Sequence, residues 1–186
     1  MVEKCPSRAE CLRLMDRHQM LPNIREHSFR VMEVAQMLGE ALARAGVGLQ
    51  LPLLEAGALL HDIAKTACLQ NGGNHAGMGA EWLRDYGYPA VAEIIREHVY
   101  ISSIFLNSNQ IREAEVVNYA DKRVLHTQVV PLAVRFADGR ARYGRDAQAV
   151  ARIKDIERRT RFLEEKLFAP LSITPQDLHC LNQFRR

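Results

Sequence analysis

Residues Leu51–Lys65 read LPLLEAGALLHDIAK and contain the longest apolar-rich run of the chain. That run, Leu51–Leu60, contains a single glutamate and is far shorter than the roughly 20 apolar residues that a transmembrane helix needs. Pro52 suits the first turn of a helix, so the stretch predicts a helix that continues to about its final lysine. His61 and Asp62 then fall near the C-terminal end of that helix, where they are the first candidates for chemistry.

The remaining sequence is patterned almost entirely for helices, with apolar residues recurring at three and four positions. Helix start signals predict helices that begin at Ser7, Asn23, Pro52, Asn74, Pro89, Pro131, Asp146 and Thr174, and one more helix carries Asp121. Residues 100–110 are rich in Ser and Asn and predict a connecting loop. Period-two alternation flanked by hairpin turns is not convincing anywhere. The predicted fold class is therefore all-α.

The composition of the chain limits the classes of protein to which it can belong. The chain has 186 residues, 47% of them hydrophobic, which is enough for a substantial core. The four cysteines include no Cys-x-x-Cys pair, which argues against a zinc knuckle or a disulfide scaffold and favours a reducing compartment. The N-terminus has no apolar signal region. We therefore expect a cytoplasmic protein with no membrane partner.

Four polar residues stand where apolar ones would be expected. His27, His61, His98 and Asp121 each fall on the predicted inward face of a different helix. A single inward histidine is more often a hydrogen-bonded packing residue than a metal ligand. An unpaired buried polar group costs about 1–3 kcal/mol, and convergence of all four on one centre would satisfy them together. The pattern therefore predicts a metal site.

These residues carry a resemblance to a known family. His27, then His61-Asp62, then Asp121 on successive helices resembles the HD-domain superfamily of metal-dependent phosphohydrolases. The additional His75 and His98 are similar to the two-metal members of that superfamily, which include dinucleoside polyphosphate hydrolases and cyclic dinucleotide phosphodiesterases. The resemblance covers about residues 24–125. It implies an HD-domain-like helical bundle, with the chain forming one domain over residues 1–186 and residues 130–186 forming a C-terminal helical extension.

The resemblance also implies a ligand set. The first metal would be held by His27, His61, Asp62 and Asp121, and Asp62 would bridge to a second metal held by His75 and His98. Mixed imidazole and carboxylate ligands suit a divalent transition metal, namely Fe, Mn, Co, Ni or Zn. Two such ions would activate a water molecule and neutralise phosphoryl oxygens, which makes Asp62 a predicted catalytic residue.

Three cations lie close to the predicted ligands in the sequence. Lys65 resembles the lysine of the His-Asp-x-x-Lys motif and is predicted to bind a substrate phosphate and to assist catalysis. Its alternative role is a simple ion pair with Asp62, three residues away. Arg30 and Arg123 are candidate substrate-binding residues, with solvent-exposed arginines as the alternative interpretation.

The sequence therefore predicts a metal-dependent phosphohydrolase acting on a nucleotide or another phosphorylated small molecule. Phosphomonoesterase, phosphodiesterase and dinucleoside polyphosphate hydrolase activities all stay open, and so does the oligomeric state. The alternative is a catalytically silent HD-type module that binds a nucleotide or RNA. Presence of all six ligand-type residues favours the enzyme. The Arg-rich run Arg152–Arg161 contains opposite charges at i,i+4 spacing, as expected for a solvated helix face, so nucleic-acid binding there is not favoured.

Overall fold

A computed structural model of the chain describes residues 4–183. The helices within that range are α1 (Arg8–Arg17), α2 (Pro22–Arg44), α3 (Leu51–Leu60), α4 (Lys65–Asn71), α5 (His75–Asp85), α6 (Pro89–Glu97), α7 (Ser103–Leu106), α8 (Glu113–Arg123), α9 (Leu132–Tyr143) and α10 (Ala147–Phe168). A two-stranded hairpin, β1 (Val124–Leu125) and β2 (Gln128–Val129), follows α8, and a 3₁₀ helix spans Pro175–Gln183. The all-α prediction is confirmed. No helix among the described residues is both long and apolar enough to cross a membrane.

Helix α3 lies at the centre of the fold. It packs against α2, α6 and α8, and Leu54, Leu59 and Leu60 are fully buried. Because this helix is apolar on nearly all sides, it must be enclosed by other helices. The His-Asp pair follows this enclosed helix directly, because α3 ends at Leu60.

One glycine allows α3 to approach α6 closely. A Cβ atom added at Gly57 would lie 2.7 Å from Cγ2 of Ile94 on α6, a distance that real Cβ contacts essentially never reach. The absence of a side chain at Gly57 therefore sets the spacing between the two helices. Those helices lead directly to His61 and His98.

The predicted helix through Lys65 is in fact two helices joined by a turn. Helix α3 ends at Leu60, residues 61–64 form the turn, and α4 starts at Lys65. Hydrogen bonds of the i→i−3 type run from Ile63 N to Leu60 O and from Lys65 N to Asp62 O, which tighten the backbone relative to an α-helix. The prediction that His61 and Asp62 lie on a continuous helix is therefore wrong.

Two other local predictions need correction. Helix α2 begins at Pro22 with Leu21 as a cap that makes no side-chain bond, because proline suits the first helical position; the capping box predicted at Asn23 is absent. Residues 100–110 contain the short helix α7, which buries Phe105 against the core. By contrast, Asn74 caps α5 as predicted and accepts from the backbone N–H groups of Ala76 and Gly77.

The C-terminal helices lie where the sequence predicts them, but the last one is of a different helix type. Helix α10 is capped by Asp146 as predicted, and the expected ion pairs Asp155–Arg159 and Glu157–Arg161 are both formed. The last helix is a 3₁₀ helix rather than an α-helix. The hairpin after α8 was not predicted, since strands of two residues cannot show alternation.

Candidate metal centre

The six predicted ligands converge on one place in the fold, although they come from five parts of the chain. They are His27 on α2, His61 and Asp62 in the turn after α3, His75 at the start of α5, His98 directly after α6, and Asp121 on α8. The side chains form two groups, and the ligand atoms within each group all lie within 4.8 Å of one another. One group is His27, His61 and Asp121, and the other is Asp62, His75 and His98. Each group can hold a metal ion.

Asp62 lies between the two groups. Its Oδ2 atom is 3.4 Å from Nε2 of His61, which belongs to the first group. Its Oδ1 atom is 3.3 Å from Nε2 of His75 and 3.6 Å from Nε2 of His98, which belong to the second. The two oxygens of one buried carboxylate thus face different sets of imidazoles, which is the arrangement a bridging ligand needs.

Backbone carbonyl groups orient three of the histidines. The Nδ1–H of His61 donates to Ala58 O at 2.8 Å, that of His98 donates to Ile95 O at 2.6 Å, and that of His27 donates to His126 O at 2.9 Å. In the neutral ring the other nitrogen, Nε2, then carries the lone pair. Histidines that bind metals are commonly held in this way. All three Nε2 atoms point into the cluster.

Two imidazole lone pairs inside the cluster face no hydrogen-bond donor among the described residues. Nε2 of His61 is buried and makes no hydrogen bond to any described residue. Nε2 of His27 lies 2.9 Å from Oδ1 of Asp121, and two acceptors so placed repel one another unless a cation or proton lies between them. Nε2 of His75 lies 3.1 Å from Nε2 of His98, so these two nitrogens either share one proton or bind a cation. The donor set and its orientation therefore fit divalent cations.

Charges within the cluster stabilise the ionised carboxylates. Burial opposes ionisation of Asp62, but His61, His98 and Lys65 outweigh it and hold the pKa of this carboxyl well below its usual range. For Asp121, burial is likewise outweighed, mainly by Lys122 and His27, and its pKa is also well below the usual range. Both carboxylates are thus ionised and able to bind a cation at neutral pH.

The second group of histidines is held in the neutral form. Burial and the neighbouring His98 lower the pKa of His75 to about 4, and burial lowers the pKa of His98. His61 behaves differently: although burial favours its neutral form, the carboxylates of Asp62 and Asp121 raise its pKa. His75 and His98 are therefore available as neutral nitrogen ligands near pH 7.

A cavity of about 380 Å³ opens beside the cluster, within the roughly 300–1,000 Å³ range of small-molecule sites. The polar residues of its lining include Asp62, Lys65, Asp121, Lys122 and Arg135. Most of its apolar residues come from α9 and α10. A larger groove of about 890 Å³, near residues 106–113, contains none of the six ligand-type residues.

Residues 24–124 match the family model of the HD domain. The chain belongs to the HD domain family. The resemblance drawn from the His and Asp pattern is therefore confirmed. All six ligand-type residues fall within the matched residues. Helices α9 and α10 and the 3₁₀ helix follow the match.

Similar proteins extend the comparison. This chain is 39% identical to Ribonuclease Y of Aquifex aeolicus over 77 residues. The aligned segment is 41% of this chain and only 13% of the ribonuclease. The chain is 26% identical over 144 residues to the uncharacterized protein MJ0778 of Methanocaldococcus jannaschii, covering 70% of this chain and 83% of that protein. A crystal structure of a predicted HD superfamily hydrolase from an uncultured Thermotogales bacterium has a TM-score of 0.48 and 24% identity, over 88% of this chain and 95% of that one.

Lys65 combines the two roles considered for it. Its Nζ atom donates to Oδ2 of Asp62 at 2.7 Å, while 39% of its side chain stays exposed and lines the cavity. The carboxylate of Asp62 raises its pKa despite burial, so the ammonium is charged. Lys65 is thus paired with a ligand residue and open to a molecule in the cavity.

The two predicted substrate-binding arginines lie outside the lining of the cavity beside the cluster. Arg123 is buried, and its guanidinium donates to the Tyr119 hydroxyl and to the carbonyls of Val130 and Pro175. The interpretation of Arg123 as a solvated arginine is therefore wrong. Its donors tie α8 to the hairpin and to the C-terminal 3₁₀ helix.

Arg30 has a similar role on α2. Its side chain is 12% exposed, and it donates to the carbonyls of Thr127 and Leu181. It does not line the cavity beside the cluster. Arg30 therefore connects α2 with the hairpin and the 3₁₀ helix, and its role in substrate binding stays a prediction.

Sequence reasoning missed three features of the site. Lys122 is buried and donates to Asp121 and to the carbonyl of His98, although a lysine on a helix normally predicts exposure. His126 has a positive φ of 55° and orients His27 through its carbonyl, which no side-chain pattern reveals. Arg135 lines the cavity; its position after the ligand-bearing segment gave no signal.

Proposed function

We propose that this HD domain chain is a metal-dependent phosphohydrolase that cleaves a phosphate ester or anhydride of a nucleotide-type substrate, with water as the nucleophile. The observation that carries the proposal is the position of Asp62, whose two oxygens face two separate groups of imidazoles. Lys65 pairs with Oδ2 of this carboxylate. Oδ1 faces the imidazoles of His75 and His98 instead, as expected for a carboxylate that binds a second cation.

Different side chains would have different roles in the site. His27, His61 and Asp121 would hold one divalent cation, His75 and His98 a second, and Asp62 would bind both. Cations bound there would supply an acidified water molecule and neutralise charge on the phosphoryl oxygens. The backbone carbonyls behind the histidines keep the rings from rotating, so that the ligands are in place before substrate arrives.

The charge of the cavity supports a phosphate as the group that reacts. Lys65, Lys122 and Arg135 all line it, while the carboxylates beside them are the proposed ligands Asp62 and Asp121. With those carboxylates engaged by divalent cations, the three side-chain cations would face the cavity without compensation. A polyanionic ligand would be drawn to such a site.

The alternative, a silent module that binds a nucleotide or RNA, keeps the same cavity but no turnover. The 77-residue similarity to Ribonuclease Y adds phosphodiesters to the substrates that need to be screened.

A turnover screen after metal analysis tests the proposal. Elemental analysis of the purified protein should find divalent transition metal, and the loaded protein should hydrolyse at least one of a mononucleotide, a dinucleoside polyphosphate, a cyclic dinucleotide or a short RNA. Protein stripped with a chelator is the matched control and should regain activity when Mn²⁺ is returned. Metal content near zero and no turnover with any added divalent ion would instead establish the silent module.

A further inference from the structure

Helix α9 presents one continuous face to the cavity. Arg135, Gly139 and Tyr143 all line it, and their spacing of four residues places them along one side of a helix. At a rise of 1.5 Å per residue, Arg135 and Tyr143 lie about 12 Å apart along the helix axis. The face is thus long enough to contact two different parts of one ligand.

The first end of this face carries the guanidinium of Arg135. Nε of Arg135 is buried and has no hydrogen-bond partner among residues 4–183. The other two cations of the cavity are paired, Lys65 with Asp62 and Lys122 with Asp121. A planar guanidinium is suited to hold two oxygens of a phosphate, and an unpaired buried donor is costly unless a ligand satisfies it.

The middle of the face is open space. Gly139 is buried, yet a Cβ atom added there would meet no heavy atom within 4 Å. Its φ lies outside the left-handed region, so the glycine is not required by backbone conformation. The missing side chain therefore leaves room in the cavity.

The far end of the face carries Tyr143. Apolar side chains from α4, α9 and α10 also line the cavity, namely Leu69, Phe136, Ile153 and Ile156. Tyr143 and Leu69 are 59% and 67% exposed, which leaves an aromatic ring and an aliphatic group uncovered at the same cavity. Such a surface suits a flat aromatic group that can stack on the tyrosine.

We propose that the α9 face determines substrate specificity: Arg135 binds the substrate phosphate, and the space over Gly139 leading to Tyr143 holds the nucleobase attached to it. The proposal rests on the proposed function for the class of substrate, but it concerns binding and not turnover. It assigns the specificity of this chain to α9 and α10, which follow the residues matched by the HD domain model.

Binding measurements separate the two ends of the face. The probes are inorganic phosphate and the phosphonate analogue of AMP, in which carbon replaces the bridging oxygen so that water does not cleave it. Calorimetry is carried out on protein supplied with Mn²⁺, together with metal analysis and a melting curve for each variant. Arg135→Ala should weaken both probes at least tenfold, and Arg135→Lys should recover part of the loss.

Substitutions at Gly139 test the middle of the face. Gly139→Leu should weaken the AMP phosphonate at least tenfold and leave inorganic phosphate unchanged, because the added side chain fills the space for the base alone. Gly139→Met repeats the test with a more flexible side chain, and Gly139→Ala should resemble wild type. Matched controls are Arg145→Ala, just after α9, and Ala137→Leu on the exposed side of α9; both should leave binding unchanged.

The binding measurements test this proposal independently of whether the protein catalyses hydrolysis. Wild-type affinity for both probes in Arg135→Ala, or for the AMP phosphonate in both Gly139→Leu and Gly139→Met, would overturn it. Hydrolysis by the wild type together with unchanged binding in these variants would overturn this inference and leave the phosphohydrolase intact. Position-specific losses of binding in a protein that turns over no substrate would support the inference and favour the silent module.

Discussion

Oδ1 of Asp62, in the turn after α3, lies 3.3 Å from Nε2 of His75, at the start of α5. The same carboxylate presents its other oxygen to His61 and Lys65. Asp62 is therefore the point at which the two groups of ligands meet, and its environment explains why the cluster can be one centre instead of two.

Loss of one histidine of the second group should remove one metal ion. We expect His75→Ala to lower bound divalent metal toward one ion per chain, because His27, His61 and Asp121 still form a complete group. Elemental analysis of protein loaded with Mn²⁺ measures the stoichiometry. His179→Ala in the 3₁₀ helix is the control and should keep the wild-type content. Equal metal in all three proteins would eliminate the second site.

Lys65 should act on substrate and not on metal. Lys65→Ala removes a charged donor that lines the cavity, and such contacts are worth about 1.5–3 kcal/mol. We therefore expect KM for the best substrate to rise roughly ten- to hundredfold, with metal content unchanged. Lys154→Ala on α10 is the matched control outside the cavity. A normal KM in Lys65→Ala would reduce this residue to an ion-pair partner of Asp62.

The close contact between α3 and α6 should be sensitive to a single methyl group. Gly57→Ala would force its Cβ against Ile94, and overpacking of this kind costs about 1–3 kcal/mol. Gly48→Ala is the control, since its added Cβ would meet nothing within 4 Å. Urea denaturation measures both free energies of unfolding. A Gly57→Ala variant as stable as wild type would show that this contact does not set the helix spacing.

Asp155 on α10 should titrate unusually low. Hydrogen bonds from Arg159, Tyr100 and Arg158 hold the pKa of this carboxyl below its usual range. Because the folded-state pKa is lowered, the stabilisation is present above the unfolded pKa of about 3.9 and is lost as the pH falls through the folded value. Carboxyl NMR titration should show the low midpoint, and Arg159→Gln should raise it. A midpoint near 3.9 in the wild type would contradict the assignment.

The helical class and the ligand residues could be predicted from the sequence. Helix signals act locally, and the ligand residues follow one another in a fixed order along the chain. Asn74 and Pro89 marked helix starts correctly, since a cap and a proline act within one turn. The ligands could be named because histidine and aspartate on inward faces are costly without a partner. Their grouping, with Asp62 between two sets of imidazoles, required the three-dimensional structure.

The errors arose where distant contacts decide the outcome. Arg123 is buried because its guanidinium reaches the carbonyl of Pro175, 52 residues away, and no local pattern records such a contact. The turn at residues 61–64 was missed because the apolar pattern of α3 continues through the buried Ile63 and Ala64, so the sequence shows no stop signal there. Arg135 was missed because only the packing of α9 against the HD domain brings it to the cavity.

The most direct test of the centre is the Asp62→Asn variant, assayed for hydrolysis of the best substrate from the screen. Asparagine keeps nearly the same volume but removes the charge that would bind two cations. We expect turnover to fall by about three orders of magnitude or more, equivalent to at least about 4 kcal/mol of transition-state stabilisation, with bound metal reduced and helical content retained by circular dichroism. Hydrolysis at the wild-type rate would show that Asp62 does not join two metal sites and that the proposed mechanism is wrong.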